Sequence, residues 1–191
     1  MTQSWDVVIV GGAVVGSAIA YFLAGPVGFK GRVLVVEKDP TYAECATARS
    51  AGGIRQQFST AENIALSTFG AAFVKSAHET LAVDGEAPSL PFVENGYLFL
   101  ATPAGMPVLE HNHALQRAHG ADIALLDPAG LAARFPWLRT DDLAGGTLGL
   151  SNEGWTDPYS LLQAFRRKAR ALGVADLADT VTGLEREGGR I

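Results

Sequence analysis

Trp5-Asp6-Val7-Val8-Ile9-Val10-Gly11-Gly12-Ala13-Val14-Val15-Gly16 opens the most informative stretch of this chain, which closes at Val33-Leu34-Val35-Val36-Glu37. The first β-branched run reads as a buried strand, the glycines as a turn, the residues after Val14 as a helix, and the second run as a parallel strand. Strand, glycine turn, helix, strand and a carboxylate about 20 residues past the last glycine form the layout that holds an ADP-ribose. Gly11 permits the tight turn and Gly16 lets the helix lie close to the sheet, while the helix N-terminus offers N–H groups and partial positive charge to a pyrophosphate. Glu37 accepts hydrogen bonds from ribose hydroxyls and would repel a 2′-phosphate, so the residues favour FAD or NAD over NADP. Ala13 stands where the fingerprint has its second glycine, and its single methyl is a small intrusion.

The rest of the composition narrows the classes. The chain has 191 residues, 48% apolar and 18% charged, with net charge −5, which is enough for one substantial core or two small ones. Its largest basic cluster is Arg166-Arg167-Lys168 on a polar helix face, read as solvated surface, so nucleic acid is not expected. The lone cysteine, Cys45, excludes an internal disulfide and fits a reducing compartment, and a cytoplasmic location is the default expectation. Val7 to Phe29 carries no charge, but its glycines and Pro26 break the run and a buried βα unit explains the apolarity, so no membrane span is expected.

Along the chain, a first helix is expected over Val14 to Leu23, stopped by Gly25-Pro26. Gly12, Gly16, Ala20 and Ala24 give it a small-residue stripe. A second helix should start at a Ser59/Glu62 capping box and bury Leu66, Phe69, Phe73, Ala77 and Leu81. Cys45 to Phe58 is then a long connection rich in hydroxyl and guanidinium groups, the texture of a functional loop. From Asp84 a second region begins: a strand over Phe92 to Thr102, interrupted or bulged at Asn95-Gly96, a helix over Pro107 to His119, a strand at Ile123 to Leu126, and a short helix opened by Asp127-Pro128 and stopped by Pro136. After a break at Gly145-Gly146 comes Thr147 to Leu150, and Asp157-Pro158 opens an amphipathic helix that buries Leu161, Leu162, Phe165, Ala169 and Leu172 and ends at Gly173. Val181 to Leu184 reads as a strand and Glu187-Gly188-Gly189 as a turn into Arg190-Ile191, an ending in mid-hairpin expected of an incomplete or split protein. The domain boundaries expected are 1–87 for the first part of a nucleotide-binding domain, 88–150 for part of a second domain, and 151–191 for the continuation of the first.

Three segments together resemble the FAD-dependent oxidoreductases of the D-amino-acid oxidase and sarcosine oxidase superfamily: Asp6 to Tyr21, Ser50-Ala51-Gly52-Gly53-Ile54-Arg55-Gln56-Gln57-Phe58-Ser59, and Gly154 to Leu162. The second is also similar to mitochondrial FAD-dependent oxidoreductase-domain proteins linked to respiratory-complex assembly. The resemblance implies an α/β fold, a Rossmann-like FAD-binding βαβ domain interrupted by part of an α+β substrate domain on an antiparallel sheet. It implies non-covalent FAD, because Arg49 occupies the position resembling the family's N-terminal linking histidine and no histidine precedes His78. It further implies a small-molecule substrate, and a C-terminal half or partner chain that supplies the rest of the site.

Carried over by position, the resemblance places FAD contacts on Gly11, Gly12, Ala13, Val14, Val15 and Gly16 for the pyrophosphate, Glu37 and Lys38 for the ribose, Thr47, Ser50 and Ala51 in the loop, and Val181 at the adenine. Gly52 and Gly53 would lie beside the flavin, where a side chain would collide, and Arg55 resembles the arginine that binds substrate carboxylate. An arginine paired with a local acid or with FAD phosphate fits the residue equally. The implied activity is oxidation of a small amine or amino acid by hydride transfer to flavin N5. Oxidation of a 2-hydroxy acid, and a flavin-binding assembly role without turnover, are the alternatives. No metal site is expected: His111 and His113 diverge by about 200° on a helix and cannot share an ion.

Overall fold

The computed structural model describes residues 4–186 and 188. In chain order these form β1 (Val7–Val10), α1 (Val14–Ala24), β2 (Val33–Glu37), β3 (Gly53–Ile54) and α2 (Ala61–Thr80). Next come β4 (Phe92–Val93), β5 (Leu98–Ala101), α3 (Met106–Ala118), β6 (Ile123–Leu126) and α4 (Pro128–Arg134). The described part closes with β7 (Gly145–Gly149), β8 (Gly154–Thr156), α5 (Pro158–Ala171) and β9 (Ala175–Ala178). The chain folds into two compact units. One takes the residues up to Ala51, Ala77–Leu90 and the residues from Asp157 onward, and the other takes Gly52–Ser76 and Pro91–Thr156.

The first unit is the expected βαβ arrangement. β1 and β2 run parallel with Val7 opposite Val33 and Ile9 opposite Val35, and α1 and α5 pack together on the sheet. Helix α1 can lie this close because a side chain at Gly16 would collide with the carbonyl of Gly11 and press on Ile9. Tyr21 and Phe165 bring the two helices together through tilted rings 5.6 Å apart. Val181 to Leu184, read as a strand of a hairpin, is not a strand, and the third strand is β9, parallel to β2 with Val35 opposite Asp176. Asp176 disguised it: a carboxylate suits a strand here because Arg166 and Arg170 of α5 neutralise it at 3.1 and 3.6 Å. Arg166-Arg167-Lys168 is accordingly tied down rather than loosely solvated, since Arg167 pairs with Glu86 at 2.6 Å and Lys168 donates to the carbonyl of Ala82 at 2.6 Å. Leu172, expected inward, is exposed, and Val174 is buried instead.

Among the described strands β1 pairs with β2 alone, and Val8 and Val10 are 50% and 61% exposed. The expectation that this run is buried on both faces therefore fails for the outer face of β1. Of the mid-hairpin ending expected at Glu187 to Ile191, all but Gly188 lies outside the described residues.

The second unit holds two small antiparallel sheets, ordered β3-β8-β4 and β5-β7-β6. The interruption at Asn95-Gly96 is a change of sheet rather than a bulge, with β4 on β8 and β5 on β7. Gly96 turns the chain at φ 74°, a left-handed conformation that favours glycine. Gly145-Gly146, read as a break, lies inside the central strand β7, where β-carbons would come within 2.7 Å of the carbonyls of Leu126 and Phe99 on the strands to either side. Helix α2 starts one turn position later than expected: Thr60, not Ser59, caps it, its Oγ1 accepting from the N–H of Asn63 at 3.4 Å. Its buried stripe is Ile64, Ala71, Val74 and Ala77, whereas Leu66 and Phe69 are 68% and 58% exposed. The helix is apolar on two sides, so periodicity alone could not select the side that faces the core. The caps read from Asp-Pro pairs hold, with Asp127 Oδ1 accepting from Gly130 N at 2.7 Å. No helix of the described residues is long and apolar enough to cross a membrane.

Candidate cofactor and substrate site

In the first unit the turn after β1 is built by three residues with different tasks. Gly11 adopts φ 93° and donates its N–H to the carbonyl of Val36 at 2.8 Å. Gly12 has no room for a side chain, since one would press on the Tyr42 hydroxyl and on Val35. Ala13 is extended and starts α1 without a side-chain cap. The N–H of Val14 donates to Thr47 Oγ1 at 3.2 Å, while those of Ala13, Val15 and Gly16 meet no acceptor among the described residues. Uncapped N–H groups at a helix start, with its partial positive charge, suit an anion such as a pyrophosphate.

Glu37 closes the other side. Its Oε2 accepts the N–H of Gly12 at 2.8 Å and its Oε1 that of Asp39 at 2.9 Å. Each oxygen keeps a lone pair for a further donor such as a ribose hydroxyl. These residues therefore fit the ADP half of FAD. Lys38, Ser50 and Ala51 are exposed and Thr47 is buried. Arg49 is ion-paired with Glu44. Val181 lies just beyond β9 and is exposed.

Tyr42 is a residue of this site that the sequence did not reveal. It is buried, adopts φ 60° and sits under the guanidinium of Arg166 at 5.3 Å from its ring centre. Burial pushes its hydroxyl pKa up, opposed by the charge of Arg166. A cavity of about 250 Å³ beside it is lined by Glu37, Pro40, Tyr42, Arg166 and Asp176.

In the second unit, Gly52 turns at φ 69° and its carbonyl accepts the N–H of Thr156 at 3.0 Å. Gly53 opens β3, pairing with Trp155, and the Tyr97 hydroxyl occupies the space a side chain at Gly53 would need. Two residues on, Arg55 places its guanidinium 5.1 Å from the ring centre of Phe58 and 5.8 Å from that of Phe99. It has no carboxylate partner among the described residues, so pairing with a local acid is not seen, and the substrate carboxylate and the FAD phosphate remain the two roles open to it. Tyr97 and Phe99 were also missed, because nothing near them in sequence marks strand β5 as facing Gly53 and Arg55. No group of three or more His, Cys, Asp or Glu able to hold a metal occurs among the described residues, and His113 Nε2 lies 3.0 Å from the carbonyl of Ile123.

A glycine turn with an uncapped helix behind it and a carboxylate closing on that turn make an α/β fold with the Rossmann-like βαβ topology of FAD-binding proteins, and the antiparallel sheets are consistent with a substrate domain. Residues 6–191 match the family profile described as DAO, FAD dependent oxidoreductase, and the chain belongs to that family. It is similar to FAD-dependent oxidoreductase domain-containing protein 1 of Xenopus laevis, 48% identical over 180 residues, which cover 93% of this chain and 36% of that protein. Among solved structures it is similar to L-proline dehydrogenase from P. horikoshii, with TM-score 0.81 and 26% identity over 98% of this chain and 48% of that one. It is also similar to glycine oxidase from Geobacillus kaustophilus, with TM-score 0.71 and 26% identity over 92% of this chain and 46% of that one. The chain spans about a third of the length of the curated relatives it matches.

Proposed function

We propose that this chain is the nucleotide-binding part of an oxidoreductase that holds FAD non-covalently and oxidises a small amine or amino acid. The ADP half is assigned to Gly11 through Gly16, Glu37, Lys38, Thr47, Ser50, Ala51 and Val181, and the flavin side to Gly52 and Gly53. When bound, FAD supplies the redox centre, accepting a hydride at N5. The chain's own contribution is to orient: glycine backbone approaches the phosphates, Glu37 anchors the ribose, and Arg55 clamps the substrate carboxylate.

The observation that carries the substrate class is Arg55 itself. A guanidinium resting against Phe58 and Phe99 with no acid partner among the described residues keeps its planar donor fork open for a carboxylate. The names of the similar solved structures, a proline dehydrogenase and a glycine oxidase, support an amino-acid substrate. A 2-hydroxy acid carries the same carboxylate and would use the same clamp. The single cysteine fits a reducing compartment, and a cytoplasmic setting is part of the proposal.

Anaerobic mixing of the flavin-loaded protein with separate panels of amines, amino acids and 2-hydroxy acids tests the proposal. Loss of the flavin's visible absorbance with amino acids or amines is the expected result. Bleaching by hydroxy acids alone moves the substrate class, and a flavin that none of them reduces favours an assembly role without turnover.

A further inference from the structure

The backbone that carries Arg55 is fastened by a buried carboxylate. Glu153, just before β8, is fully buried, and its Oε1 accepts the N–H of Gln56 at 2.5 Å and of Gln57 at 3.1 Å. Its Oε2 accepts from Gln57 Nε2 at 2.9 Å. Gln57 extends the network, donating from Nε2 to the carbonyl of Tyr97 at 2.9 Å and accepting at Oε1 from Thr147 Oγ1 at 2.6 Å. Gln56 and Thr147 are buried as well, and Gln56 Nε2 donates to Thr68 Oγ1 at 3.2 Å. Gly149 leaves the space the carboxylate fills, since any side chain there would collide with it.

Burying a carboxylate costs several kcal/mol unless its oxygens are hydrogen-bonded, and an apolar residue would fill the same space more cheaply. All the donors aimed at Glu153 are N–H groups, which is the set an ionised carboxylate satisfies. Two of them are the consecutive backbone N–H groups that follow Arg55. An apolar residue could not hold those two peptides, and so could not fix where the side chain before them stands.

We propose that Glu153 is the positioning residue for Arg55: by holding the peptides of Gln56 and Gln57 it sets the guanidinium against Phe58 and Phe99 in the orientation that receives a carboxylate. This rests on the reading of Arg55 as the substrate clamp. Glu153→Gln keeps the shape but exchanges a charged acceptor for a weaker neutral one and sets its NH₂ against either the two peptide N–H groups or Gln57 Nε2, all of which need an acceptor, so the hold on the two peptides loosens. In the flavin-loaded protein it is expected to speed amide exchange at Gln56 and Gln57 and to weaken acetate binding about 10-fold. FAD affinity and the binding of neutral acetamide should be unchanged. Adding Arg55→Lys should cost acetate affinity little more, because the two changes disable one clamp.

Acetate affinity at the original value in Glu153→Gln, when Arg55→Lys has lost it, overturns the proposal and leaves the clamp standing. Equal losses for acetate, acetamide and FAD also overturn it, because they mark a residue that only holds the fold. If Arg55→Lys itself leaves acetate binding untouched, the clamp reading fails and the proposal falls with it. Should Glu153→Gln not fold, Glu153→Asp, which keeps the charge but withdraws it by one methylene, is expected to show the same acetate-specific loss at smaller size. Original acetate affinity in that variant overturns the proposal.

Discussion

The Glu37 carboxylate closes on the N–H of Gly12 at 2.8 Å, so the end of β2 and the turn after β1 are joined by a charge-assisted hydrogen bond. The same carboxylate that would anchor a ribose thus also shapes the turn that would receive the phosphates. A hydrogen bond to a charged group contributes roughly 1.5 to 3 kcal/mol, so Glu37→Ala is expected to weaken FAD binding by about 10- to 150-fold. Titration of flavin fluorescence measures it, and unchanged affinity would remove Glu37 from the site.

Helix α5 is capped by Asp157, whose Oδ2 accepts the N–H of Ser160 at 3.0 Å and also its hydroxyl. The Ser160 hydroxyl, more than any other partner, holds the Asp157 pKa below the usual aspartate value. A depressed folded-state pKa means stability that is present above the unfolded value, near 4, and lost as pH falls through the lower folded value. Asp157→Ala is therefore expected to cost about 1 kcal/mol at neutral pH. The gap to the original protein should shrink below about pH 4, read from urea unfolding at each pH.

Arg49 is ion-paired with Glu44 and offers no atom for a flavin linkage. Acid precipitation should leave the protein pellet colourless and release the flavin to the supernatant. Flavin retained on a peptide from this chain would contradict non-covalent binding.

Among the described strands β1 has one unpaired edge, and Val8 and Val10 are half or more exposed, so its open backbone groups are a template for a further strand. This chain on its own is expected to associate in size-exclusion chromatography, and Val10→Lys to shift it toward monomer. A sharp monomer peak from the unaltered chain would show that the edge is tolerated.

The βαβ unit was legible because its message is local: Gly11, Gly16 and Glu37 stand at spacings set by one turn, one helix and two strands. The Asp127-Pro128 and Asp157-Pro158 helix starts were legible for the same reason. What stayed hidden depends on partners distant in sequence. Asp176 makes β9 look like a loop until Arg166 and Arg170 are seen to neutralise it. Gly145 and Gly146 look like a break until the carbonyls of the neighbouring strands are seen to leave no room for side chains. Nothing in the sequence marks Glu153, because the N–H groups that satisfy it belong to the distant Gln56 and Gln57. For the candidate site, the resemblance supplied Arg55 as an expectation, but nothing in the sequence pointed to Tyr97 and Phe99 beside Gly53 and Arg55.

Steady-state kinetics of Arg55→Lys test the central claim most directly, because lysine keeps the charge and loses the planar fork. If Arg55 clamps the substrate carboxylate, FAD stays bound while kcat/KM for carboxylate substrates falls by roughly 10- to 100-fold, a loss of about 1.4 to 2.7 kcal/mol. If flavin is lost instead and the remaining flavin-loaded protein turns over normally, Arg55 serves the cofactor and the amino-acid reading is contradicted.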